Sequence, residues 1–190
     1  MNFLRTIRRR GYLTGFLTGA AKLIMALLSH SWLLFIHAVY NIIKACAKHC
    51  ASRERGGRYS TMFYSGLLVI AASAVYLVCS VYIFFFGSTA SYHMYIAIGI
   101  AAVTTYELIA AVRGLRKARR AQNVREETLK YINLASALIS VSLTQTAILS
   151  FTNEGDVSRA YAAGDAVFGF LALLVGVVML LRANRLGQSG

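Results

Sequence analysis

Residues 62–86 read MFYSGLLVIAASAVYLVCSVYIFFF, a run without one formal charge. At about 1.5 Å of rise per residue, a helix of this length reaches across the roughly 30 Å hydrocarbon core of a bilayer. Three more apolar runs follow at 92–112, 131–151 and 161–181, and all four together hold only two formally charged residues, Glu107 and Asp165. Inside lipid every backbone polar group must be satisfied within the chain, and a helix does this within one segment. The sequence therefore describes an integral membrane protein, and its 57 % hydrophobic composition is above the half that soluble domains usually carry.

The net charge of +13 is distributed by position. Arg5, Arg8, Arg9 and Arg10 lead the chain, Lys44, Lys48, Arg53, Arg55 and Arg58 precede the first run, basic residues fill 113–130, and Arg182 and Arg185 follow the fourth run. The gap at 87–91 is uncharged, and the gap at 152–160 sets Glu154 and Asp156 against Arg159. This alternation is the positive-inside pattern. It predicts both termini and the 113–130 connection on the cytoplasmic side of a cell (inner) membrane, with two short outer loops. The lack of any acid before Glu54 also fits an organelle presequence. Nucleic-acid binding is disfavoured because the basic residues abut apolar runs instead of forming a free basic domain.

Short outer loops imply two antiparallel hairpins, 62–112 and 131–181, closing into a four-transmembrane-helix bundle. The first part of the chain, 1–58, reads as a basic amphipathic membrane-surface region, and 59–190 as the bundle. Within 17–43 a long apolar stretch is broken by Lys22, His30, His37 and Asn41. At about 100° per residue, His30, His37, Asn41, Lys44 and Lys48 share one helix face. The pattern predicts an interfacial helix on the cytoplasmic leaflet, with a re-entrant hairpin turning near 29–31 as the alternative. Arg53, Arg55 and Arg58, with Arg113, Arg116 and Arg119 after the second run, are placed to meet anionic headgroups.

Few residues within the spans invite chemistry. Glu107 shares a stripe with His93 and Thr104 on the second run, so it either faces a partner or pathway or snorkels toward the inner interface. Asp165 stands about a turn inside the outer end of the fourth run, within reach of headgroups or Arg159. Asn133, Ser136, Ser140 and Thr144 line one face of the third run, where hydrogen bonding between helices competes with a hydrated path. Gly169, Ala172 and Gly176 stack on one side of the fourth run as a seam for close helix approach. Cys46, His49 and Cys50 have i, i+3 and i+4 spacing suited to a soft metal, but no fourth ligand is near in sequence. Ordinary reduced thiols and no cofactor are the expectation.

No phosphate-binding loop, metalloprotease, nucleophile-elbow or dinucleotide motif occurs, so the chain is not expected to be an enzyme. The expected function is that of an oligomeric or accessory membrane subunit in contact with anionic lipid. The alternative is a small channel or transporter for protons, cations or small solutes with Glu107 in the pathway.

Overall fold

A computed structural model of the chain describes residues 32–52, 57–86, 94–152 and 158–188, together with Ala20, Leu23 and Ile24. Among the described residues the protein is all-helical, with five long helices: α1 (Trp32–Ser52), α2 (Gly57–Phe86), α3 (Met94–Arg120), α4 (Val124–Thr152) and α5 (Ser158–Gln188). Proline is absent from the sequence, so nothing of that kind interrupts a backbone ladder. Three segments, Tyr59–Phe86, Val124–Leu149 and Arg159–Gln188, are long and apolar enough to cross a membrane. They belong to α2, α4 and α5.

The most extensive packing joins α2 to α5. The contacts run antiparallel: Gly66 lies against Met179 and the carbonyl of Gly176, Gly176 against Ile70, and Gly169 against Tyr76 and Leu77. A Cβ on Gly176 would lie 2.6 Å from Ile70 Cγ1 and 3.1 Å from the Ile70 backbone nitrogen, so the close approach depends on a residue without a side chain. Small residues do this in lipid because dispersion between closely packed backbones replaces the hydrophobic drive that water supplies elsewhere. Around this pair Met62, Val69, Tyr76, Ile132, Ile139 and Met179 form the buried core.

The second strongest pairing is α3 with α4. The connection over 113–130 is helix on both sides of a three-residue turn. Long-chain helix formers such as Arg116, Lys117, Arg119 and Arg120 extend α3 beyond its apolar part and suit its C-terminal end electrostatically. Gln122 takes the left-handed conformation at φ 51°, which turns the chain. Asn123 then caps α4, its Oδ1 accepting the amide hydrogen of Glu126 at 3.2 Å. Glu126 and Glu127 occupy the first turn of α4, where negative charge is favoured.

Two expectations are corrected. Among the described residues α2 does not pack on α3, because its small-residue face is occupied by α5, so 62–112 is not a packed hairpin; α3 rests on α4 alone. Nor does α1 lie flat across the end of a bundle. It packs on α2 and α4. Ser65 on α2 donates to the carbonyl of Ala47 at 3.4 Å, whereas Tyr40 and His37 stand edge-on to Tyr76, with centroids 6.3 and 5.7 Å away. Helix α1 thus runs antiparallel along α2. Part of its polar stripe is turned inward: His37 is buried, and Lys44 Nζ donates to Ser136 Oγ on α4 at 2.8 Å. The physical reason is that α2 and α4 offer partners to part of the stripe: the Tyr76 ring packs on His37, and Ser136 accepts from Lys44. The expected turn at 29–31, His30, Arg53 and Arg55 lie outside the described residues.

Candidate functional site

Polar side chains gather in three places. The deepest lies between four helices. Asp165 on α5, 2 % exposed, accepts a hydrogen bond from Ser142 Oγ on α4, and Tyr76 OH on α2 stands 3.0 Å from the same Ser142 oxygen. A serine has one proton to give, so with that proton on the carboxylate Ser142 accepts from Tyr76. Tyr40 and His37 of α1 close on Tyr76 from the other side. Asp165 therefore faces neither headgroups nor Arg159, as its sequence position suggested; its carboxylate is held inside the fold by hydroxyls from neighbouring helices. A buried charge needs such donors to be tolerated.

The second cluster ties the basic ends of α3 and α5 to the start of α4. Glu127 Oε1 lies 3.4 Å from Arg119 Nε on α3 and 3.3 Å from Arg182 Nε on α5, and the Glu127 side chain is only 2 % exposed. Arg119 also donates to the Tyr131 hydroxyl, with its guanidinium carbon 5.2 Å from the Tyr131 ring centre. Hydrogen bonding to Tyr131, followed by the pull of Glu127, raises the Arg119 pKa above its ordinary value. Glu127 was not singled out from sequence. Its only signal was an acidic pair inside a basic stretch.

The third is a cleft of about 260 Å³ walled by α1, α3 and α4 and lined by Lys44, Lys48, Lys130, Glu107, Asn133 and Ser136. Each wall contributes for a local reason. Lys44 and Lys48 are one turn apart on α1, so both face the same side. On α3 the cleft is bordered by Ala110 and Ala111, whose short side chains leave room, and by the exposed ring of Tyr106. Lys130 reaches in from α4 across Gly114: a Cβ there would come within 2.9 Å of Lys130 Cδ and 3.1 Å of its Nζ. Burial pushes the Lys48 ammonium below the ordinary lysine range; Glu107 pulls it back up and Lys130 pushes it further down.

The residues singled out from sequence are thus divided among different places. Glu107, Asn133 and Ser136 meet at the cleft, while Thr104 donates to the carbonyl of Ser140 at 3.4 Å above it. Ser140 and Thr144 donate back to carbonyls four residues earlier in α4, at 3.1 and 3.2 Å. Gly169, Ala172 and Gly176 are buried in the fold, the two glycines against α2. Arg113 and Arg116 are exposed. His93 and the Arg58 side chain lie outside the described residues. Cys46 and Cys50 are exposed free thiols, and among the described residues no group of three His, Cys, Asp or Glu side chains is arranged to hold a metal, so the Cys46, His49, Cys50 run does not form one. In the sequence Lys44 and Lys48 share a helix face and Lys130 belongs to a basic stretch; their convergence depends on how α1 docks. Comparison with family models, with curated proteins and with solved structures finds no match for the chain.

Proposed function

We propose that this is a non-enzymatic membrane protein that acts by association, as a homo-oligomer or as an accessory subunit beside other membrane proteins, in contact with anionic lipid. In this reading α3 is a fourth span, both termini face the cytoplasm of a cell membrane, and α1 is a re-entrant helix docked on the bundle. The observation that carries the reading is the packing of α3. It rests on one neighbour among the described residues and leaves Tyr95, Ile98, Tyr106 and Ile109 exposed along its length. A span so placed has most of its surface free for lipid or another membrane helix.

A cation pathway through Glu107 is less well supported. The carboxylate shares its cleft with three lysines, an arrangement that repels cations. The hydroxyls above it are engaged with helix carbonyls, leaving fewer groups to replace the hydration shell of a moving ion.

The deciding experiment measures the mass of the lipid-embedded complex and, on the same preparation, proton and cation flux in proteoliposomes with a Glu107→Gln control. A defined multimer or a co-purified membrane subunit without Glu107-dependent flux is expected. A monomer with Glu107-dependent flux would replace this reading with the transport one. Single-cysteine labelling tests the topology separately: positions at 87–91 and 153–156 should react from outside and positions at 119–125 should not.

A further inference from the structure

We propose that the cleft between α1, α3 and α4 is a binding site for a phosphate anion of headgroup size, held by Lys44, Lys48 and Lys130. The inference rests on the reading of the chain as a lipid-contacting membrane protein and deepens it, from diffuse attraction at basic helix ends to one defined site.

The argument begins with a contrast in charge. At Glu127 a buried carboxylate stands between two arginines, one of them also bonded to Tyr131, so each cation there lies within ion-pair distance of an acid. In the cleft three ammonium groups face one carboxylate, and Glu107 is the only acid among the lining residues. Gathering partly buried like charges around one cleft opposes folding, because each ammonium repels the others and burial disfavours all three. Packing alone would be better served by neutral side chains, and a local conflict of this kind marks a functional site. An anion removes the conflict.

The donor set narrows the kind of anion. Each lysine offers three N–H groups as a compact point charge, and Asn133 and Ser136 add neutral polar groups between them. Donors converging from two helices suit a tetrahedral oxyanion with several acceptor oxygens. The volume of about 260 Å³ falls below the roughly 300–1,000 Å³ of pockets that enclose a whole drug-sized ligand, so the cleft takes a headgroup and not a large molecule. Its height agrees. Glu107 and Ala111 belong to the last turns of the apolar part of α3, just before the basic end that starts at Arg113, which is the level of phospholipid phosphates in the proposed topology. Gly114 completes the design by letting the Lys130 side chain lie across α3.

The source of the phosphate, a membrane lipid or a soluble phosphate, is decided by experiment. The full chain, purified in neutral detergent, is titrated with phosphatidylglycerol, phosphatidylcholine or inorganic phosphate, and bound ligand is counted by native mass spectrometry. Wild-type protein should retain one phosphate-bearing ligand, and the combined Lys44→Gln, Lys48→Gln, Lys130→Gln variant should lose at least about tenfold in affinity. Removing the same number of charges from the exposed end of α3, with Arg116→Gln, Lys117→Gln and Arg120→Gln, should change it by no more than about twofold. Preference for phosphatidylglycerol over the other two identifies a lipid site; lysine-dependent binding of inorganic phosphate alone identifies a soluble ligand of the same chemistry. Gly114→Ala keeps every charge and pushes against a flexible side chain, so it should fold normally and still weaken retention; it decides the matter if the triple variant does not fold. Binding to none of the three, or retention unchanged by both the lysine changes and Gly114→Ala, overturns the proposal. Equal loss from the cleft and α3-end variants also overturns it, while leaving the broader reading of lipid contact standing.

Discussion

The α2–α5 side of the molecule and the α3 side are both built from long helices and end up with different characters. Glycines at 66, 169 and 176 bring α2 and α5 so close that side chains of one touch the backbone of the other. On the other side, among the described residues, α3 packs on α4 alone, and α1 and α3, which do not pack on each other, leave the lysine cleft between them. Apolar length puts a helix in the membrane; the spacing of its small residues decides whether it is sealed against a neighbour or left open.

The contrast breaks most sharply at Gly176. Leucine there collides with Ile70 and with the backbone of α2, and overpacking of this kind costs about 3 kcal/mol or more. Gly176→Leu should abolish a monodisperse monomer in size-exclusion chromatography, whereas Val178→Leu, on an exposed position, should stay within about 0.5 kcal/mol of wild type. If Gly176→Leu yields a stable monomer that only fails to assemble, the seam lies between subunits and the α2–α5 contact is wrong.

Next in size is Asp165→Leu, which leaves the Ser142 hydroxyl without its acceptor and so loosens its contact with Tyr76; it should lower stability to chemical unfolding by roughly 2–3 kcal/mol, and Asp165→Asn, which keeps an acceptor, should lose less. At the junction of the two sides, Glu127→Gln releases Arg119 and Arg182. Their side chains are 49 % and 42 % exposed and can turn to water, so the cost should be nearer 1–2 kcal/mol than the roughly 3–5 kcal/mol of a fully buried pair. Faster hydrogen exchange at the ends of both α3 and α5 is the expected signature, and change at one helix alone would show that the carboxylate does not bridge them. On the open side Tyr106→Ala should move stability by less than about 0.5 kcal/mol, since the ring is 74 % exposed. A larger loss would mean that another protein surface covers α3.

How far the sequence could be read follows from the same physics. The runs now found in α2, α4 and α5 announced themselves, because lipid imposes length and absence of charge on each span separately. The stacking of Gly169, Ala172 and Gly176 was visible as helical spacing, although the spacing is silent on which helix comes near. Periodicity likewise grouped His37, Lys44 and Lys48 on one face of α1 but could not say whether that face meets headgroups or Tyr76 and Ser136. The charge sum of 113–130 marks a connection between spans, yet its residues are good helix formers and only Ala121, Gln122 and Asn123 leave the helix. Summing charge also hid Glu127, one acid among many cations, whose partners are fixed by the meeting of α3, α4 and α5. Asp165 was legible as a costly residue but not as a partner of Ser142, which lies 23 positions away on another helix.

The contact between Lys44 and Ser136 has a consequence in time. Ninety-two positions separate the two residues, and at about 5–20 residues per second that is roughly 5–18 s of translation between the appearance of one partner and the other. Helix α1 is made first and cannot complete its docking until α4 has left the ribosome. During that interval Lys44 lacks the Ser136 hydroxyl that receives it in the finished protein, so the last polar contact of an early helix is set by a late one.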